Sequence, residues 1–336
     1  MTDALLDQHD AVLLDLDGTV YRGGEPTPSA RDVIDGARAH GVAIRYVTNN
    51  ASKSPDAVAD HLRALGLHAE IGDVSTSAQA AAAMVAETLP RGARVLVVGT
   101  DSFAHEIAEV GLTPVRRFED APAAVVQGHS PDTGWAELSE ACLAVRDGAM
   151  WVASNDDRTL PTERGELPGN GAMVTALRAA TGREPDVAGK PQVPLLRRAI
   201  ESCGAQRPLM VGDRLDTDIA GGVALGIPSL FVLTGVGSAG DVLAAPSDRR
   251  PEYIGADLRA LLAPARLARV DTSEAWTARS TDARVELSRG SADAPAEPLS
   301  ALRSLCTAWW AAGSGPVDVV GGDPEAKAAL DELGLS

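Results

Sequence analysis

The chain has 336 residues, with 47 Asp and Glu against 30 Lys and Arg and a formal net charge of −17. That length exceeds one ordinary compact domain, and 45% hydrophobic with 23% charged residues excludes wholesale disorder. The acidic surplus argues against a general binder of nucleic acid or anionic membrane, because both need positive surface.

Ala11–Leu16 (AVLLDL) is an apolar run broken by Asp-Gly, which predicts a buried strand ending in a loop. A helix is expected over Ser29–His40, with Ser29 as N-cap and Gly41 as stop. Ala43–Val47 is the next strand. Ser54–Leu65 is the next helix, with Ser54 capping, Pro55 in the first turn and Gly66 terminating. Ser77–Thr88 reads as an Ala-rich helix and Arg94–Gly99 as a strand. This alternation predicts a parallel sheet covered by helices.

A second set of strands follows at Ala123–Gln127 and Met150–Ser154, with a helix near Trp135–Asp147 between them. Asn155–Gly171 is rich in Asp, Pro, Gly, Thr and Arg and reads as a long loop, a kind of segment that is often functional. Helices over Gly171–Thr181 and Gln192–Cys203 come next, then a strand at Leu209–Val211 and a helix at Asp216–Leu225. A strand at Ser229–Leu233, another near Tyr253 and a helix at Asp257–Leu262 close this part. Beyond Pro264 the weak strand signals (Ala275–Ala278, Arg284–Leu287, Val317–Val320) and two helix signals (Pro298–Ala312, Pro324–Leu333) describe a small ββαβα module.

Cys142, Cys203 and Cys306 are far apart and form no CxxC, so buried thiols are expected rather than disulfides or a cysteine zinc site. The acidic N-terminus is no signal peptide, and no run of about 18 apolar residues predicts a membrane span. A reducing cytoplasm fits both.

The chemistry-bearing residues sit where strands end. Asp15-Leu16-Asp17-Gly18-Thr19 follows the first strand. Two carboxylates at i and i+2 on a turn converge outside the sheet, where open α/β sheets bind ligands. They repel unless a cation joins them, which implies a hard metal, most simply Mg²⁺. The competing reading is an Asp-Gly turn with solvated carboxylates. Gly212-Asp213-Arg214-Leu215-Asp216-Thr217-Asp218 follows the strand Leu209–Val211. Helix-dipole complementarity accounts for Asp216 there, but not for two such strand-end clusters in one sheet. Thr48-Asn49-Asn50 offers a hydroxyl, amides and backbone N–H groups suited to phosphate oxygen, or else forms a polar turn. Gly189-Lys190-Pro191 carries one of only three lysines (Lys53, Lys190 and Lys327), a compact charge for phosphate or an ordinary surface lysine.

Together these four segments, in this order over about Asp10–Leu262, resemble the four motifs of haloacid dehalogenase-like phosphatases. The spellings YRGG, VTNNAS, AGKP and VGDRLDTDI resemble the subfamily of p-nitrophenyl phosphatases and phosphoglycolate phosphatases, which carries a large α/β cap. The resemblance implies a Rossmann-like parallel-sheet core made of residues 1–77 and 187–262. It places the cap at residues 78–186 and leaves residues 263–336 as a C-terminal module. Within the subfamily, the glycerol 3-phosphate phosphatase type with an acetyltransferase-like C-terminal region is most similar. Hydrolysis of glycerol 3-phosphate, in glycerophospholipid metabolism, is therefore the leading expectation. 2-Phosphoglycolate and nucleoside monophosphates are the alternatives, and a phosphometabolite-sensing binding protein is the reading from another class.

By resemblance, Asp15 is the nucleophile that forms an aspartyl-phosphate, and Asp17 is the general acid and base. Mg²⁺ is held by Asp15, the Asp17 carbonyl and Asp213, with Asp218 orienting a ligand or water. Thr48, the Asn49 backbone, Asn50 and Lys190 hold the phosphoryl oxygens. Arg158, Glu163 and Arg164, in the loop that resembles the family's specificity loop, would meet a small polar alcohol. No lysine lies in the cap to form a Schiff base, which disfavours phosphonatase chemistry. The tail lacks a glycine-rich pyrophosphate loop, so acetyl-CoA binding is not expected. Trp309-Trp310 belongs to tail core or, in the alternative, to a homo-oligomer interface.

Overall fold

The computed structural model describes residues 4–162, 164–281 and 283–336. It divides into two compact units, Met1–Ile44 with Gly204–Ser336, and Arg45–Cys203. Among the described residues no helix is long and apolar enough to cross a membrane.

The first unit is an α/β layer. Strands Tyr253–Gly255, Ser229–Val232, Pro208–Gly212 and Ala11–Leu14 lie side by side in that order, all parallel. Each is buried along its whole length, as expected of parallel strands covered on both faces. Ala43, at the start of the strand Ala43–Thr48, donates its N–H to Asp10 O at 3.0 Å. The pairing Leu14↔Val211 makes the first strand and Pro208–Gly212 end within one residue of each other.

The tail is the expected ββαβα module. Trp276–Thr281 and Arg284–Arg289 pair antiparallel, and Asp318–Gly321 joins Arg284–Arg289 in parallel. Helices Pro298–Ala312 and Pro324–Leu333 have the bounds read from the sequence. One hydrophobic cluster unites tail residues Trp276, Leu302, Leu305 and Trp309 with Ile219, Phe231, Val242 and Ile254. Trp309 is buried and Trp310 stacks under Arg250 at 5.3 Å, its indole N–H donating to Leu243 O.

The second unit carries a five-stranded parallel sheet in the order Asp186–Val187, Met150–Ala153, Ala124–Gln127, Arg94–Val98, Thr113–Val115. Side chains alternate between its faces. Val95, Val97, Val126 and Val152 enter one core with helices Ser77–Thr88 and Asp101–Glu109, whereas Leu96, Val98, Val125 and Trp151 enter a second core with Trp135–Arg146 and Asn170–Thr181. The end of Ala43–Thr48 pairs in parallel with Val74–Thr76.

Three expectations need correction. The segment Asn155–Gly171 is not all loop: Thr159–Thr162 and Gly165–Pro168 form an antiparallel hairpin. Ser29 precedes its helix in a left-handed conformation, φ 62°, and its hydroxyl caps nothing. The helix after Asp213 begins as a π turn, Leu215–Ile219, before continuing as Ala220–Leu225.

Candidate active site

In the first unit, the ends of two adjacent parallel strands bring the acidic motifs together. Asp15 N donates to Val211 O at 2.9 Å, which carries the strand pairing one residue past Leu14. Asp213 emerges from the neighbouring strand and is fully buried, and Asp218 is 1% exposed. Carboxylate oxygens of Asp15, Asp213 and Asp218 all lie within 4.8 Å of one another.

The chain makes unusual room for Asp213. Its Oδ2 accepts the Val236 N–H at 2.7 Å, and its Oδ1 accepts the Thr19 hydroxyl at 3.3 Å. The Thr234 hydroxyl donates to Gly18 O at 2.6 Å, and Gly237 N donates to Asp213 O. A Cβ on Gly18 would stand 2.5 Å from Asp213 Oδ2, and one on Gly235 only 1.9 Å away. Gly18 also has φ +86°, open to glycine at no cost.

Asp218 is placed by the π turn, its Oδ2 accepting Arg214 N at 3.1 Å. Gly212 admits it, since a Cβ there would lie 2.3 Å from the Asp218 carboxyl carbon. Asp216, on the same turn, does not join the cluster. Arg214 grips it through Nε at 3.1 Å and an Nη at 2.9 Å. Burial pushes the Asp216 carboxyl up, but that bond and the Arg214 charge outweigh it and leave the group below its ordinary range.

Asp17 lies in the turn, more exposed than Asp15, and bridges to Tyr21. Burial first, then the charges of Asp17 and Asp15 and a hydrogen bond to Asp17, hold the Tyr21 phenol far above its ordinary range. Tyr21 is therefore a neutral donor at physiological pH.

Carboxylates this close, two buried and Asp15 half-buried, repel each other unless a proton or cation lies among them. Three hard oxygen donors on a rigid strand-end scaffold fit a hard divalent cation. A nitrogen- or sulfur-preferring metal would find no His or Cys in this cluster.

In the second unit, Thr48 ends its strand and its hydroxyl accepts Asn50 N at 3.1 Å. Asn50 Oδ1 accepts Ser52 N and the Ser52 hydroxyl. Lys190 is 2% exposed, and its ammonium donates to Val47 O at 3.3 Å. The Asn49 side chain is engaged with Lys190: Oδ1 accepts Lys190 N at 2.8 Å and Nδ2 donates to Lys190 O at 2.9 Å. What Asn49 can offer a ligand is thus its backbone. Arg158 and Arg164 are exposed at the hairpin, and Glu163 lies outside the described residues.

Sequence reading misses the support of both clusters. Thr234, Gly235 and Val236 lie far along the chain from Asp213's motif, and only the TGVG spelling after a buried strand signals a close approach. Asn155 and Asp157 carry no local signal beyond a polar loop, yet both bond to Asn49.

A family model described as haloacid dehalogenase-like hydrolase matches residues 12–113, and one described as HAD-hydrolase-like matches 187–261. A GCN5-related N-acetyltransferase like domain matches 273–335. D-glycerol 3-phosphate phosphatase of Mycobacterium tuberculosis is 49% identical over 341 residues, 99% of this chain and 96% of that protein. The crystal structure of the M. tuberculosis glycerol phosphate phosphatase in complex with magnesium superposes with a TM-score of 0.95 at 48% identity, covering 100% of both chains. An acid sugar phosphatase of Staphylococcus aureus is 37% identical over 237 residues, 70% of this chain and 90% of that protein.

Proposed function

The chain belongs to the haloacid dehalogenase-like hydrolases, and on that premise we propose that it is a Mg²⁺-dependent phosphoric monoester hydrolase acting on glycerol 3-phosphate. The observation that carries this is the Asp15, Asp213 and Asp218 cluster at the ends of adjacent parallel strands. The 49% identity along nearly the whole of a glycerol 3-phosphate phosphatase supports the choice of substrate.

In this reading residues 1–77 and 187–262 form the catalytic core, residues 78–186 the cap and residues 263–336 the C-terminal module. Asp15 and Asp213 would supply side-chain oxygens for Mg²⁺ and the Asp17 carbonyl another, while Asp218, whose carboxylate lies within 4.8 Å of theirs, would orient a ligand or water. When bound, Mg²⁺ supplies charge against the phosphoryl oxygens and the Asp15 carboxylate. An Asp15 oxygen attacks phosphorus while the ester P–O bond breaks, and Asp17 gives its proton to the departing alkoxide. Asp17 then takes a proton from water, whose oxygen attacks phosphorus, breaks the Asp15–phosphorus bond and releases inorganic phosphate. Thr48, the Asn49 and Asn50 backbone and Lys190 hold the phosphoryl oxygens, since positioning and charge neutralisation dominate such transfers. Arg158 contacts the alcohol part. Cys142, Cys203 and Cys306 are free thiols, which supports a cytoplasmic setting.

The test is phosphate release from glycerol 3-phosphate, sugar phosphates, 2-phosphoglycolate and nucleoside monophosphates, each with Mg²⁺ and with chelator. Glycerol 3-phosphate is expected to give the highest kcat/KM, chelation to stop release, and Asp15→Asn to abolish it. Substantial Mg²⁺-dependent turnover in Asp15→Asn would sink the assignment. Tight binding of one phosphate ester with no release from any would favour a sensor.

A further inference from the structure

The Asn49 amide has one acceptor and two donors, and the second unit uses all three. Oδ1 takes the Lys190 N–H at 2.8 Å, while Nδ2 donates to Lys190 O at 2.9 Å and to Asp157 Oδ2 at 3.1 Å. Turning the amide over would set donor against donor at Lys190 N and acceptor against carboxylate at Asp157, so its orientation is fixed. The Asn49 carbonyl is also held, by the Ser77 hydroxyl at 2.6 Å and Asn155 Nδ2 at 2.7 Å. No slack exists on the lysine side: a Cβ on Gly189 would lie 2.6 Å from Asn49 Oδ1.

Asp157 stands at the root of the hairpin Thr159–Pro168. Its N–H donates to Asn155 Oδ1 at 3.2 Å and its carbonyl accepts Gly171 N at 2.8 Å. A Cβ on Gly169 would meet Asp157 O at 2.3 Å, so the two hairpin ends close tightly at this residue. One charge-assisted bond therefore links the hairpin root to the amide that clamps the Lys190 backbone.

We propose that Asp157 is a positioning residue, which through Asn49 sets the place of Lys190 according to the place of the hairpin. This rests on the reading of Lys190 as a phosphate ligand. It adds that the hairpin and the phosphate lysine answer to one another, so substrate fit at the hairpin is felt at the phosphoryl group. A lysine displaced by a fraction of an ångström loses much of its effect on the transferring group.

The experiment compares full-length Asp157→Ala and Asp157→Asn with the unaltered protein. The readouts are kcat and KM for glycerol 3-phosphate, inhibition by inorganic phosphate, Mg²⁺ affinity of the phosphate-free protein by calorimetry, and thermal unfolding. Asp157→Ala is expected to lower kcat/KM and weaken phosphate inhibition by about tenfold or more, with Mg²⁺ affinity unchanged. Asp157→Asn keeps an acceptor for Asn49 Nδ2 and is expected to recover most of that loss. An Asp157→Ala enzyme within about twofold of the unaltered one overturns the inference. So does an Asp157→Asn variant as poor as Asp157→Ala, or a Mg²⁺ affinity that falls along with the phosphate affinity. If the unaltered protein hydrolyses none of the esters, it is the phosphatase reading that has failed.

Discussion

Asp213 can occupy its site only because Gly18 and Gly235 present no side chain to it. A methyl at residue 235 would lie 1.9 Å from Asp213 Oδ2, and that oxygen is also the one Val236 N holds at 2.7 Å. Gly235→Ala must therefore move either the carboxylate or the loop. Its expected effect is a Mg²⁺ affinity lower by about 10- to 100-fold, the range for disturbed support of a metal ligand, and calorimetric Mg²⁺ titration reads it. At this scale much of the candidate site is legible in the sequence. Asp15, Asp213 and Asp218 announce themselves because an apolar strand that ends in paired acids gains nothing from them in packing. Gly235 and Asp157 do not, because each acts on a partner that the fold, not the chain order, brings near.

At the scale of elements, legibility follows local signals. Helices Pro298–Ala312 and Pro324–Leu333 are legible to the residue because proline marks the first turn of each. The hairpin Thr159–Pro168 escapes because its second strand is exposed along its length, so no apolar alternation is written into it. Helix Asp101–Glu109 carries its cap on Thr100 and still escapes. Ala239–Leu243 is too short to show a period. Asp323 shows what a cap can do between elements. Its Oδ1 accepts Ala326 N at 2.8 Å at the start of the last helix, and its Oδ2 accepts Arg289 N at 2.6 Å at the end of a strand. Those two bonds hold its carboxyl below the ordinary 3.8. Asp323→Ala is expected to cost about 1–2 kcal/mol in the urea unfolding free energy. A depressed folded pKa means the stabilisation is complete above the unfolded value and is lost as pH falls through the folded one. The stabilities of the two proteins should thus converge as pH drops below 3.8.

At the scale of the whole molecule, composition tells truly that no single compact domain would suffice, and the αβ rhythm tells that parallel sheets form. The tail's burial against Phe231 and Ile254 is not written in any local pattern, because a shared core is a property of surfaces that meet only after folding. Leu305 is fully buried in that cluster. Leu305→Ala is expected to cost about 2–5 kcal/mol. The change should be visible in the fluorescence of Trp276, Trp309 and Trp310, which are three of the five tryptophans. A tail transition unfolding alone, with the remaining signal unmoved, would contradict the shared core. The first unit is also drawn from two separated stretches, and its strand Ala11–Leu14 must pair with Pro208–Gly212. On the ribosome, at about 5–20 residues per second, that strand waits roughly 10–40 s for its neighbour to be made. During that interval the apolar strand lacks the neighbour it pairs with in the folded protein, while the contiguous second unit has its whole sequence in hand before the first does.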